Sequence, residues 1–262
     1  VIAQYVSGIG IAAYAFMRFP QVRSVWKVSC LRRRRIREIV SFSPLTCVQQ
    51  SIMNLGILMV QGLVNSFGPI VMAAFAAAVK IDAFAYMPVQ DFGNAFSTFI
   101  AQNYGARETG RIRSGLKSAV CISMAFCLVV SALVFVFSRP LMTIFVEAGE
   151  TEIIQAGVQY LRIEGAFYCG IGCLFLLYGL YRALEKPGMS VVLTVISLGT
   201  RVALAYLLSA IPAVGVVGIW WSVPIGWALA DATGVSGLST SPACIPAAQM
   251  ARRAASGPPG IS

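Results

Sequence analysis

The stretch AAVKIDAFAYMPVQDFG, residues 77–93, places one lysine and two aspartates inside a long apolar run. The charged residues are Lys80, Asp82 and Asp91, and the apolar block around them covers about residues 70–103. A helix of that length is long enough to cross a bilayer core. Ionisable side chains are costly at membrane depth and by default mark an ion or substrate path. The stretch therefore predicts a functional membrane helix.

The whole chain repeats this pattern. Its 262 residues are 58% hydrophobic and 11% charged, whereas soluble domains are about a quarter charged. A large soluble core is the alternative, but soluble helices show a polar face on every turn and most of these blocks do not. The sequence predicts an all-α membrane protein with six transmembrane helices and one partial helix. The other five apolar blocks cover about residues 42–65, 118–138, 156–181, 188–209 and 214–233.

Four segments organise the chain. Residues 1–17 are apolar but too short for a full span, and we expect the end of a truncated transmembrane helix there. Residues 18–38 carry eight basic residues and are predicted to be a cytoplasmic loop between lobes. Residues 39–233 are the predicted six-helix bundle. Residues 234–262, rich in Ser, Ala, Pro and Gly, are typical of a disordered tail or of a frameshift.

The basic residues predict the orientation of the bundle. Sixteen of the twenty Lys and Arg residues lie in 18–38, 104–117, 182–187 and the C-terminal segment, and helix alternation puts these regions on one side of the membrane. Cytoplasmic loops carry such an excess of Lys and Arg. We therefore expect a multi-pass protein of the inner or plasma membrane, with the interlobe loop and C-terminus cytoplasmic. The net charge of +10 then requires no nucleic-acid partner.

Enzyme chemistry has little support in the sequence. The chain contains no histidine, and its seven cysteines form no CxxC pair. No phosphate-binding loop or nucleophile elbow is present. The sequence predicts a non-enzyme without a cofactor, and it assigns no metal ligands.

Helical geometry places the charged residues of the 70–103 block on two different faces of the helix. At 100° per residue, Lys80 and Asp91 lie within roughly 20° of each other and about 16 Å apart along the axis, while Asp82 points away from Lys80. Lys80 and Asp91 therefore require partners on other helices, or water. Pro88 lies between them and removes a backbone hydrogen bond, which predicts a kink.

Polar residues recur in three other blocks. One face of the 42–65 block carries four amides, predicted either to bond neighbouring helices or to line a cavity: Gln50, Asn54, Gln61 and Asn65. Arg162 and Glu164 lie near the predicted outer end of their block and are expected to snorkel to the interface. Arg201 is expected to snorkel or to bond between helices, and substrate contact is the alternative.

Several strings resemble one family. VQQSIMNLGILMVQGLVNSFGPIVMAAFAAAVKIDAFAYMPVQDFGNAFSTFIAQNYGAR, residues 48–107, resembles helices 7 and 8 of the MATE (multidrug and toxic compound extrusion) transporters, and its ending AFSTFIAQNYGA is the most specific part. GVVGIWWSVPIGWALAD, residues 215–231, is similar to the last helix of that family. QYLRIEGAF, residues 159–167, is similar to the start of its tenth helix.

The resemblance implies a twelve-helix antiporter of two six-helix lobes, of which this chain is the C-terminal lobe. Such proteins export cationic amphipathic compounds in exchange for H⁺ or Na⁺. The acidic site of helix 1 lies in the absent N-terminal lobe, and this chain lacks the helix 7 carboxylate of some branches. The family places functional acidic and polar residues on helices 7, 8 and 10. The candidates by position are Gln50, Asn54, Lys80, Asp82, Asp91 and Glu164.

The expected function is that of half a cation-coupled drug antiporter. Carboxylates such as Asp82 and Asp91 would bind the coupling ion, H⁺ or Na⁺, while two lobes rock around the site. The expected partners are small cationic organic substrates, membrane lipids and the N-terminal lobe. One alternative is a lipid-linked oligosaccharide flippase of related architecture, for which Lys80 and Arg201 are the nearest basic residues. The other is a non-transporting membrane scaffold subunit.

Overall fold

The computed structural model describes residues 2–20, 33–184 and 186–240, and this part of the chain forms eight α-helices. No strand occurs within those residues, so the predicted all-α architecture is confirmed. In chain order the helices are α1 (Ile2–Arg18), α2 (Arg33–Asn65), α3 (Pro69–Gly105), α4 (Thr109–Thr143), α5 (Thr151–Ala166), α6 (Tyr168–Ala183), α7 (Pro187–Ser209) and α8 (Val216–Thr240).

The chain divides into two compact units at Pro44, inside α2. The first unit contains α1 and the beginning of α2. The second contains the rest of α2 and all the helices that follow. All of the candidate residues named from the sequence lie in the second unit.

Several helices of the described chain are long and apolar enough to span a membrane. Four qualify individually, and α5 and α6 together qualify as a fifth, bent span. The 25-residue α8 is long enough but is not among them. Its three tryptophans and Asp231 lower its mean hydropathy. α1 has 17 residues and is shorter than a full span. The spans that qualify are Cys47–Asn65, Pro69–Gly105, Thr109–Thr143 and Gly188–Ser209.

The long helix α3 begins at a turn that its sequence dictates. Gly68 has a positive φ of 98°, which glycine adopts without steric cost. Pro69 then occupies the first helical position, where its fixed φ suits the helix and its missing N–H leaves no bond unmade. α3 continues as one helix through Pro88 to Gly105. The helix is not interrupted at Pro88, and the kink predicted there stays a prediction.

The main break lies in the block that the sequence predicted as one helix over 156–181. α5 and α6 meet at Phe167 with a bend of 53°. No proline causes this bend. At the break, the hydroxyl of Ser131 on α4 donates a hydrogen bond to the carbonyl of Gly165. A side chain from a neighbouring helix thus satisfies a backbone group that the bend frees.

Glycines allow two of the central helices to approach backbone to backbone. A Cβ atom at Gly179 of α6 would lie 2.5 Å from the carbonyl oxygen of Gly93 on α3. A Cβ atom at Gly93 would in turn lie 2.9 Å from the carbonyl oxygen of Phe175. Small residues at helix crossings permit this contact in membrane bundles. The crossing sets α6 against α3, the helix that carries Asp82.

Gly179→Ala is expected to destabilise the fold by about 1–3 kcal/mol, because the added methyl group meets a backbone atom that cannot rotate away. Unfolding by denaturing detergent from lipid micelles measures the change. Gly62→Ala is the matched control, since a Cβ atom there meets nothing within 4 Å. A Gly179→Ala protein as stable as the Gly62→Ala protein would contradict this packing.

The last helix differs from its predicted end. The sequence placed the start of the tail at Gly234, but α8 runs to Thr240. The Tyr181 hydroxyl donates a hydrogen bond of 2.7 Å to the carbonyl of Gly234, and this contact joins the added turns to α6. Residues 241–262, which make up the rest of the predicted tail, lie outside the described part of the chain.

Candidate ion-binding site

Two carboxyl groups are buried together in the second unit. Asp82 on α3 and Glu164 on α5 are each only 4% exposed, and Asp82 is one of the groups that act on Glu164. Helix α3 presents Asp82 to the bundle and leaves Lys80 exposed, as their angular separation predicts. Glu164 lies three residues before the break at Phe167. The bend therefore places an acidic side chain at an irregular point of the helix, as in many transporter binding sites.

Two tyrosines and an arginine surround the carboxyl pair. The Tyr168 hydroxyl, on the other side of the break, donates a hydrogen bond to Oδ1 of Asp82. The phenol of Tyr160 and the charge of Arg201 on α7 both act on Glu164. Four helices thus contribute to one buried polar cluster, which we call the carboxyl site: Tyr160, Glu164, Tyr168, Asp82 and Arg201.

Aromatic rings close one side of the carboxyl site. Phe75 stacks on Trp220 with ring centroids 5.6 Å apart and an interplanar angle of 9°. Tyr160 meets Trp220 edge to face at 4.9 Å, and meets Phe75 in the same way at 5.6 Å. Edge-to-face and offset pairs are favourable ring geometries. The rings exclude water from that side and hold Tyr160 beside Glu164.

Polar atoms of the carboxyl site remain free for a small ligand. Oε1 of Glu164 and Nε of Arg201 are both buried without a hydrogen-bond partner within the described chain. Unsatisfied buried polar atoms are rare and costly. Within the described residues, no cluster of three or more Asp, Glu, Cys or His side chains is arranged to hold a metal ion.

The structure does not bring every predicted residue to this site. Asp91 and Lys80 are both exposed, and the Lys80 ammonium lies 5.8 Å from the centre of the Phe145 ring. The four amides of α2 are also exposed: Gln50, Asn54, Gln61 and Asn65. We call these six exposed residues of α2 and α3 the open polar face.

The amide that bonds α2 to a neighbour is one that the sequence analysis did not name. Nε2 of Gln49 donates a 3.1 Å hydrogen bond to Oγ1 of Thr194 on α7. Gln50 and the other three amides of the stripe stay exposed. Both predicted roles of the stripe, bonding of helices and lining of a cavity, stay predictions.

The structure bears on the expectations for Glu164, Arg201 and Arg162. Glu164 does not snorkel, because the bend turns it into the bundle, where it is buried against Asp82. Arg201 on α7 acts on Glu164 and Tyr160 of α5, which fits the interhelical role among those predicted for it. Arg162 stays exposed, with its guanidinium 5.5 Å from the centre of the Phe135 ring.

The sequence spacing of the two tyrosines of the carboxyl site could have identified them. Tyr160, Glu164 and Tyr168 recur at intervals of four residues, the spacing of one helical face. Tyrosine is counted among the apolar residues, so neither was selected as polar. Their hydroxyl groups nevertheless supply two of the groups that interact with the buried carboxylates.

Comparison with known proteins assigns this arrangement to a family. A sequence model of the MatE family matches residues 46–207. This range contains all five residues of the carboxyl site. The chain belongs to the MatE family. It is thus a multi-pass membrane protein of a multidrug efflux transporter family, as the resemblance implied.

Individual MatE relatives are distant. "Probable multidrug resistance protein YpnP" of Bacillus subtilis (strain 168) is 28% identical over 150 residues, which are 57% of this chain and 33% of the relative. "Probable multidrug resistance protein NorM" of Thermotoga maritima is 20% identical over 185 residues, 70% of this chain and 39% of the relative. The chain thus spans between a third and two fifths of the length of these MatE relatives.

Solved structures share the fold over a similar extent. A MATE structure in complex with MaD3S superposes with a TM-score of 0.77 at 18% identity, covering 92% of this chain and 55% of that one. A MOP superfamily transporter from Pyrococcus furiosus, described as having a binding pocket of reverse polarity, gives a TM-score of 0.72 at 19% identity. It covers 80% of this chain and 49% of that one. The MatE chain therefore has the fold of about half of such a transporter.

Proposed function

We propose that this chain is the C-terminal half of a secondary antiporter that exports cationic amphipathic compounds in exchange for H⁺ or Na⁺. The buried pair of Asp82 and Glu164 beside a broken helix carries the proposal. Ionisable groups inside a membrane bundle mark ion paths. The names of the relatives, multidrug resistance proteins, support the substrate class.

Charge balance supports a single monovalent coupling ion. Two carboxylates and the Arg201 guanidinium carry a net charge of −1 in the ionised carboxyl site. One H⁺ or one Na⁺ neutralises that charge, whereas a divalent cation would leave an excess positive charge. Isolated charges are unfavourable in a low-dielectric interior. The carboxyl site with its ion bound is therefore more stable in the closed bundle than the ionised site without it.

Substrate contact is assigned to the open polar face and ion binding to the carboxyl site. The Asp91 carboxylate attracts organic cations, and the exposed amides of α2 offer hydrogen bonds at membrane depth. Asp82 is buried on α3, away from the exposed Lys80. Ion binding at the carboxyl site would change how α3 packs against the broken helix. This would change the positions of the residues of the open polar face that α3 carries. Ion and substrate are thereby linked through one helix.

Export from a drug-hypersensitive host separates this proposal from its alternatives. Cells that express the full-length transporter containing this chain are expected to resist ethidium-like cations and to accumulate less dye. A lipid-linked oligosaccharide flippase would restore a glycan-assembly defect without conferring drug resistance. A scaffold subunit would do neither, and either of those outcomes would contradict the proposed function.

The 262-residue chain is expected not to transport by itself. Alternating access requires two bundles that move against each other around a site, and the open polar face is unfavourable in lipid. In liposomes containing only the purified chain, a Na⁺ or H⁺ gradient should drive no uptake of an ethidium-like dye. Gradient-dependent dye uptake by this chain would show instead that two copies make a functional dimer.

The proposed orientation places the interlobe loop and the C-terminal segment in the cytoplasm. Cys30 and Cys244 report on these two segments, and both lie outside the described residues. In variants that retain only one of them, an impermeant thiol reagent applied to intact cells should leave each unlabelled until the membrane is opened. Strong labelling of either cysteine from outside would contradict the orientation.

A further inference from the structure

The first turns of α4 carry a strong positive charge at one end of the bundle. Residues 104–117 contain four basic residues and one acidic residue, Glu108. The opposite end of α4 has the reverse balance, because residues 139–152 contain one basic residue, Arg139, and three acidic residues. The two ends of one membrane span therefore differ in the sign of their charge. The basic residues of the first end are all exposed: Arg107, Arg111, Arg113 and Lys117.

The uncharged part of α4 matches the thickness of a bilayer core. Residues 118–138 contain no charged residue, and a helix of that length rises about 30 Å. The hydrocarbon core of a bilayer is also about 30 Å thick. Lys117 therefore lies at one boundary of the hydrocarbon core and Arg139 at the other. Arg113 lies one helical turn beyond Lys117, at the depth of the lipid headgroups.

Packing fixes the beginning of α4 against its neighbours. Ile112 and Leu116 pack against a cluster of buried residues from α3, α4 and α6. Gly115 lies against the ring of Phe99 on α3, too close for a side chain to be added without displacing that ring. The exposed basic residues thus stand on the other faces of a helix whose inner face is held in place.

Two of the basic residues continue into exposed apolar residues on the same face of α4. At 100° per residue, four exposed positions fall within about 80° of one another, and we call them the α4 stripe: Arg113, Lys117, Cys121 and Leu128. Leu128 is 61% exposed in a helix that is apolar enough to span a membrane. The stripe therefore runs from two cations at the headgroup depth to apolar side chains in the hydrocarbon core. A phospholipid presents its charged phosphate and its acyl chains in the same order.

We propose that the α4 stripe binds an anionic phospholipid. Arg113 and Lys117 bind the headgroup phosphate, and an acyl chain lies along Cys121 and Leu128. Clusters of Lys and Arg beside membrane helices attract anionic lipids. A zwitterionic lipid fits this surface less well, because its own cationic group would meet the excess positive charge of residues 104–117. The inference goes beyond the proposed transport function, since it concerns an outer surface of the bundle and not the carboxyl site.

A fluorescent label on Cys121 tests the proposal, because this exposed thiol lies one helical turn from Lys117. The purified chain that retains only this cysteine is labelled with bimane and reconstituted in phosphatidylcholine bilayers. Phosphatidylglycerol or phosphatidylcholine with a nitroxide near the start of one acyl chain is then added as the quencher. Quenching should show that phosphatidylglycerol binds roughly fivefold or more tightly, since one basic residue near a membrane surface contributes about that much. Raising NaCl to about 0.5 M should weaken this preference by screening.

Substitutions at the two ends of α4 show whether the stripe itself selects the lipid. Arg113→Gln combined with Lys117→Gln should reduce the preference for phosphatidylglycerol by roughly threefold or more. Arg113→Lys keeps the charge and should keep the preference. Arg139→Gln is the matched control at the opposite boundary and should leave the preference unchanged. Circular dichroism verifies that each variant is folded.

Three results would overturn the proposal. One is an unchanged preference in the double variant, and another is a wild-type preference that salt does not alter. The third is a Cys121 label that neither lipid quenches, because protein would then cover the α4 stripe. None of these measurements involves transport, so the lipid site can fail while the proposed function stands.

Discussion

Arg201→Met is expected to destabilise the folded chain by about 3–5 kcal/mol, the cost of leaving a buried charge without its partner. Arg201 acts on Glu164 and Tyr160 from α7, and it is the cation identified at the carboxyl site. Methionine retains much of the side-chain volume and removes only the charge and the hydrogen-bond donors. The two carboxyl groups then face each other without compensation. Unfolding by denaturing detergent measures the loss.

A second substitution shows whether charge is the cause. Glu164→Gln in the Arg201→Met background removes one carboxylate and is expected to restore most of the lost stability, so that the two changes are strongly non-additive. Arg162→Met is the matched control, because that arginine is exposed over Phe135, and its loss should cost less than about 1 kcal/mol. Equal stability of Arg201→Met and Arg162→Met would contradict the charge balance proposed for the carboxyl site.

Asp82→Asn and Glu164→Gln are each expected to reduce ion-coupled drug export by roughly tenfold or more, since loss of only 1.4 kcal/mol of ion affinity is a tenfold effect. Each substitution preserves shape and removes one charge from the pair. The double variant should be no worse than either single variant, because residues that act as a unit are non-additive. Initial rates of dye export from cells, corrected for the amount of transporter in the membrane, measure the effect.

Asp91→Asn separates the two proposed roles. Asp91 belongs to the open polar face, so its loss should weaken export of organic cations by raising the substrate concentration needed, while the ion dependence stays unchanged. Glu147→Gln, in an exposed loop, is the control for removal of a carboxylate and should export as wild type does.

Wild-type export by the Asp82→Asn variant would mean that the buried pair is structural and would remove the basis for the proposed ion site.

The sequence predicted the architecture because its signals are local. The apolar blocks and the spacing of Lys80 and Asp82 depend on residues close together in the chain. Each corresponds to a feature of the structure: the helix positions and the opposite burial of the two charged residues. Even so, Glu164 was expected at the membrane interface, because its block was treated as one straight helix.

The composition of the site depends on contacts that a single sequence does not contain. No proline in the sequence indicates the break at Phe167. The hydroxyl that donates a hydrogen bond to the Gly165 carbonyl comes from Ser131, which lies 34 residues earlier in the chain. Pairing of Asp82 with Glu164 joins positions 82 residues apart through tertiary packing.

Gradient-driven transport in liposomes tests most directly the central claim that the buried carboxyl pair couples ion to drug. The full-length transporter containing this chain is reconstituted as wild type and as Glu164→Gln, and dye accumulation is measured with imposed H⁺ or Na⁺ gradients and without any gradient. The wild type should accumulate dye against its concentration gradient only when one of the ion gradients is present. The Glu164→Gln protein should equilibrate dye to the same level with and without ion gradients. Gradient-driven accumulation by Glu164→Gln at the wild-type rate would contradict the claim.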